Sequence, residues 1–121
     1  MSRVLIVEDA PYIREVFRYA LELHKHVIAG EAVNGVEAID KYHELKPDIV
    51  LMDLLMPVMD GISAIKKIIE FDPKAKIIVV SAISKSSIRD EAMRAGAIDF
   101  VAKPFEVSRL LDAVTDASAA K

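Results

Sequence analysis

The stretch Ile49-Val50-Leu51-Met52-Asp53-Leu54-Leu55-Met56-Pro57-Val58-Met59-Asp60-Gly61 decides how the chain folds. Four apolar residues without polar alternation read as a strand covered on both faces, which is the mark of a parallel sheet. An acid ends the run, a loop with Pro57 and Asp60-Gly61 follows, and Ile62, Ile65, Ile68 and Ile69 then mark a helical face. Asp60 ahead of this face predicts a side-chain cap rather than a ligand.

The same strand, loop and helix unit recurs outward in both directions. Val4–Val7, Val27–Val33, Ile77–Val80 and Ile98–Val101 are short runs rich in β-branched residues, spaced too widely for hairpins. Between them lie helical faces, best seen in Ile13, Val16, Phe17, Ala20, Leu21 and in Val107, Leu110, Leu111, Val114. Val36, Ile39, Tyr42 and Leu45 give a looser face, and Ile88, Ala92 and Ala95 the thinnest. Pro11 suits a first helical turn, Gly96 a position just past a helix end, and Pro47 and Pro73 close helices. Five strands alternating with five helices predict right-handed crossovers and a doubly wound α/β domain, with helices on both faces of a parallel sheet.

Composition restricts the function. The chain has 121 residues, 53% of them hydrophobic and 29% charged, which suits one globular domain with a proper core. With no cysteine, disulfide scaffolds, thiolate metal sites and thiol catalysis are excluded. Lys and Arg number 16 against 19 for Asp and Glu, so the basic field that nucleic acid or an anionic membrane requires is missing. The start turns acidic at Glu8 after only four apolar residues, too few for a secretory core, and no apolar run approaches a membrane span. The expected location is the cytoplasm. His24, His26 and His43 do not make a metal-ligand pattern and read as surface residues.

In an open parallel sheet ligands bind beyond the C-terminal strand ends. Glu8-Asp9 stands at the first strand end, Asp53 at the third, Ser81 at the fourth, and Lys103-Pro104 after the fifth. Three carboxylates at ~4 Å and an effective dielectric near 20 repel by about 4 kcal/mol per pair. Such a cluster persists by holding protons or by binding a cation. All-oxygen donors without His or Cys suit a hard divalent ion such as Mg²⁺, which keeps several waters. If a metal neutralises the acids, Lys103 is not needed for that purpose. A metal, a lysine and a hydroxyl together suit a phosphoryl group, and a carboxylate oxygen is the natural acceptor.

Four motifs now stand in order at strand ends: Val4-Leu5-Ile6-Val7-Glu8-Asp9, Met52 through Gly61, Ser81-Ala82, and Lys103-Pro104-Phe105. With them the chain resembles, from Arg3 to about Val114, the receiver (response-regulator) domain of two-component signalling in its stand-alone, CheY-like chemotaxis-type form. The resemblance implies a flavodoxin-like (βα)5 fold of strand order 2-1-3-4-5, a single receiver domain over residues 1–121, and no output domain after Lys121. It implies that Asp53 accepts a phosphoryl group from a sensor histidine kinase. Mg²⁺, with Mn²⁺ as a substitute, would be held by Glu8, Asp9, Asp53 and the Leu55 backbone carbonyl. Ser81, the Ala82 backbone N–H and Lys103 would bind the phosphoryl oxygens. The Lys103-Pro104 peptide would be cis. Ser81 and Phe100 would be the switch pair that alters the face made by the fourth helix, fifth strand and fifth helix, read by a target such as a motor component or a phosphatase. The chain would be a phosphoacceptor rather than an enzyme with an external substrate, as a monomer or a phosphorylation-linked dimer.

Several positions depart from the family's common pattern. Glu8 replaces an Asp, Ser81 the commoner Thr, and Phe100 has no phenol. Leu55 and Ile83 occupy the two positions that tune hydrolysis; both are apolar and do not orient an attacking water, so self-dephosphorylation should be slow. Other functions fit less well. A flavin or nucleotide binder needs a phosphate loop where Glu8-Asp9-Ala10-Pro11 stands. An aspartyl-phosphate phosphatase needs a second acid where Leu55 stands. A phosphorelay intermediate and a degenerate docking or dimerisation module remain as alternatives, the latter disfavoured by intact Asp53, Ser81 and Lys103.

Overall fold

The computed structural model describes residues 1–83 and 85–120. Strands β1 (Arg3–Val7), β2 (Val27–Ala32), β3 (Ile49–Met52), β4 (Ile77–Ser81) and β5 (Asp99–Ala102) alternate with helices α1 (Pro11–Leu23), α2 (Gly35–Leu45), α3 (Gly61–Phe71), α4 (Ser86–Ala95) and α5 (Val107–Ala119). The strands form one parallel sheet of order β2-β1-β3-β4-β5. The doubly wound fold and the thin fourth helix are as the sequence predicts, and the strand order is the one the family resemblance implies.

Strand periodicity explains the unbroken apolar runs. Leu5, Val7, Val50, Met52, Ile77 and Val79 pack beneath α2, α3 and α4. Their neighbours Val4, Ile6, Ile49, Leu51, Ile78 and Val80 face the other way, against Phe17 and Leu21 of α1 and Leu110 and Val114 of α5. Because side chains alternate between faces, two cores demand apolar residues at every position. Helix α4 buries only Ala92, which accounts for its faint periodicity.

Helix starts follow local chemistry. Asn34 accepts from the Glu37 N–H at 2.9 Å while the Glu37 carboxylate reaches back to the Val33 N–H at 3.1 Å, a reciprocal cap on α2. Asp60 caps α3 by accepting from the Ser63 N–H at 2.8 Å. Gly96 ends α4 with φ +128°, a region that L side chains rarely adopt.

Two contacts fix the loops that carry the acids. The start of α3 lies so close to the Asp53 loop that a Cβ on Gly61 would stand 2.2 Å from the Asp53 carbonyl oxygen and 2.8 Å from the Leu54 Cα. On the other side, Arg14 of α1 donates to the backbone carbonyls of Glu8 (2.8 Å) and Asp9 (3.2 Å). Its Nε is held by Glu31 of β2 at 3.2 Å, which also accepts from Arg18 at 3.0 and 3.1 Å. These bonds, the Arg18 hydrogen bond foremost, hold the Glu31 carboxyl below its ordinary range.

Gly61→Ala should therefore lower stability by roughly 1–3 kcal/mol, since backbone must move to admit the methyl group, and urea unfolding should show a lower midpoint at unchanged slope. Glu31→Gln should cost about 0.5–1 kcal/mol near neutral pH. A carboxyl with a lowered folded pKa contributes above its unfolded value, and that contribution is lost as pH falls through the folded one. The gap between wild type and Glu31→Gln should accordingly close in acid, as measured by unfolding across a pH series.

Candidate phosphoryl and metal site

Backbone ladders continue past the strands and bring the site to one rim. The Glu8 N–H bonds to the Ala32 carbonyl at 2.9 Å, the Asp53 N–H to Val7 at 3.0 Å, and the Lys103 N–H to Ser81 at 2.8 Å. Each functional residue is thus pinned through its main chain to a neighbouring strand end. The Lys103-Pro104 peptide is cis, and Phe105 beyond it stacks on Phe17 with ring centroids 5.5 Å apart.

One carboxylate oxygen from each of Glu8, Asp9 and Asp53 lies within 4.8 Å of the others. Glu8 and Asp53 are buried at 1% and 7% exposure, whereas Asp9 faces solvent. Asp53 Oδ1 accepts from the Leu54 N–H at 2.7 Å, with the Leu55 N–H at 3.4 Å. Its Oδ2 faces the Lys103 ammonium at 3.5 Å. Lys103 also donates to Glu8 Oε1 at 2.6 Å, while Glu8 Oε2 accepts from the Ala10 N–H at 3.1 Å.

Burial pushes the Glu8 carboxyl above its ordinary range; Lys103 and the Ala10 N–H pull it back, and the nearby Asp53 charge raises it. The Lys103 ammonium is shared between two nearly dry carboxylates, whose isolated charges would be far costlier.

The other positions take their places around this cluster. Ser81 is fully buried, and its Oγ accepts from the Ile83 N–H at 3.3 Å. Ala82 is exposed beside it. Leu55 is 59% exposed above Asp53, and half-buried Ile83 packs on the core beneath α2, α3 and α4. Phe100 lies in β5, two residues from the Ser81 partner Ala102, and is buried. His26 is only half-buried, not a plain surface residue: its Nδ1 accepts from the Ser2 N–H at 3.1 Å. Arg14 and Glu31 escaped the sequence reading, because only the packing of α1 against β2 makes them neighbours.

The donor set, three carboxylates converging with no nitrogen or sulfur ligand, fits a hard divalent cation. Among the described residues no helix is long and apolar enough to cross a membrane.

Comparison with known proteins agrees with this geometry. Residues 4–115 match the response regulator receiver domain. The chain is 51% identical over 117 residues to the chemotaxis protein CheY of Thermotoga maritima, covering 97% of this chain and 98% of that protein. It is 44% identical to the chemotaxis protein CheY of Bacillus subtilis, covering 93% of each. A CheX-CheY complex with BeF3 and Mg²⁺ from Borrelia burgdorferi superposes with a TM-score of 0.92 at 32% identity, over 98% of this chain and 90% of that one. On the strength of its motifs, its strand order and these matches, the chain belongs to the response regulator receiver domain family.

Proposed function

We propose that this receiver is a phosphorylation-activated response regulator of chemotaxis, with Asp53 as its phosphoacceptor. The observation that carries the reading is the meeting of Glu8, Asp9 and Asp53 oxygens within 4.8 Å, with the Lys103 ammonium 3.5 Å from Asp53 Oδ2. An Asp53 carboxylate oxygen attacks phosphorus, and the bond from phosphorus to the donor breaks with its electron pair leaving on the donor. For a phosphohistidine of a sensor kinase that is the P–N bond; for acetyl phosphate it is the P–O bond to the acetyl group. The product is an acyl phosphate on Asp53.

Glu8, Asp9, Asp53 and the Leu55 carbonyl are the residues to hold Mg²⁺, or Mn²⁺ in its stead, which when bound offsets charge on the phosphoryl oxygens. The Ser81 hydroxyl, the Ala82 N–H and Lys103 take the transferred oxygens. Each contact differs between the free and modified states, and only such differences shift a two-state equilibrium. Their pull on the ends of β4 and β5 alters the face of α4, β5 and α5, which a downstream protein reads. The chain turns over no external substrate, so it is a signalling protein whose chemistry is confined to its own modification.

Intact-mass spectrometry after incubation with acetyl phosphate tests the reading. A single Mg²⁺-dependent phosphoryl adduct is expected, absent in Asp53→Asn. An equal adduct in that variant, or none in wild type that binds Mg²⁺, overturns it. Leu55 offers no hydrogen bond to an attacking water, so Leu55→Asn should shorten the adduct's lifetime by about tenfold, equivalent to ~1.4 kcal/mol of barrier. Following adduct decay by mass measures this directly.

A further inference from the structure

Phe100 carries the one large side chain at the centre of β5, and two arginines from different helices engage it. From α5, Arg109 donates to the Phe100 carbonyl at 3.3 Å and to Asp99 Oδ1 at 3.0 Å. Asp99 Oδ1 in turn accepts from the Phe100 N–H at 2.7 Å, so the backbone of this residue is fixed on both sides. From α4, the Arg89 guanidinium carbon stands 5.6 Å from the centre of the Phe100 ring. The ring is 4% exposed, whereas Arg89 is an exposed residue. Among the described residues Arg89 forms no ion pair with a carboxylate, although Asp90 and Glu91 are its chain neighbours. No such pair accounts for the placement of its head over the ring.

We propose that Arg89 is a positioning residue for Phe100: its guanidinium over the ring face holds the aromatic in its buried place and ties α4 to β5. A cation over an aromatic face is attracted by the ring's negative quadrupole, more strongly where the face is dry. Phe100 has no hydroxyl to anchor its edge by a hydrogen bond. Ring position is therefore set by packing and by this cation. Outward movement of the ring must break the contact, so ring exposure and the placement of α4 change together. The link to phosphorylation rests on the reading of Asp53 given above; the link between Arg89 and the ring does not.

The test uses the full chain labelled with fluorophenylalanine, which gives signals for Phe17, Phe71, Phe100 and Phe105. The Phe100 signal is the one missing from Phe100→Leu. Broadening by a soluble paramagnetic probe reports ring exposure. In Arg89→Gln this broadening should rise several-fold for Phe100 alone, and Arg89→Lys, which keeps a cation, should restore part of the protection. With BeF3⁻ and Mg²⁺ as the probe of the phosphorylated state, Arg89→Gln should change apparent affinity by about three- to tenfold, and should change nothing further in a Phe100→Leu background. Equal protection of Phe100 in Arg89→Gln and wild type overturns the proposal, as does an affinity change that persists undiminished without the ring. Failure of wild type to bind BeF3⁻ counts against the Asp53 reading, while the fluorine comparison still decides on Arg89.

Discussion

Two nearly dry carboxylates, Glu8 and Asp53, share one ammonium, and much of the fold can be understood as the means of holding them there. Ionised carboxylates leave water at a cost of several kcal/mol each unless charge and hydrogen bonds replace the lost hydration. Lys103 supplies the charge, at 2.6 Å from Glu8 and 3.5 Å from Asp53. The N–H groups of Ala10 and Leu54 supply hydrogen bonds. The lysine starts from the end of β5, two strands from Asp53 and three from Glu8, and its four-carbon stem crosses the rim above β4. A shorter cation could not make that reach. Placing residues 8, 53 and 103 together therefore calls for strands whose ends share one edge, which parallel pairing with helical crossovers provides.

Rigidity around this cluster comes from the main chain more than from the acids. Ladder bonds beyond the strands fix where each functional residue leaves the sheet. Helix α3 approaches the Asp53 loop so closely that only a glycine fits at position 61. On the far side Arg14 grips the carbonyls of both acidic residues of the β1–α1 loop and is itself steadied by Glu31. Arg14 thus holds the loop through its main chain and makes no demand on the carboxylate oxygens of Glu8 and Asp9.

What the sequence reveals divides along the same line. Local signals are legible: the two-faced strands, the Asp60 cap, Pro11 in the first turn of α1 and Gly96 at the end of α4 all follow from neighbouring residues. The acids at strand ends are legible too, once parallel order is granted. Interactions between residues distant in sequence are not. Glu31 reads as an ordinary polar residue in a mixed strand, and nothing in Ser86–Ala95 marks Arg89 as the residue that meets Phe100. Val58 gives no warning at all: a β-branched residue, 80% exposed, holds φ +70° where glycine or asparagine would be expected. The turn between Pro57 and Asp60 imposes that conformation, which lies outside the preference of the residue itself.

The sharing of Lys103 also bears on how modification of Asp53 would be felt. A phosphoryl group adds about −1.5 to −2 charges to a rim where one lysine already serves two carboxylates. Lys103 cannot keep its present distances to both Glu8 and an enlarged Asp53 side chain, and its backbone is bonded to Ser81 at the end of β4. A main-chain adjustment at Lys103 would therefore act on the same two strands that carry Ser81 and Phe100. Those strands are covered on one side by α4, which buries a single alanine and has little packing to resist a shift. Under the proposed function the response would therefore be directed toward α4, where the core is thinnest.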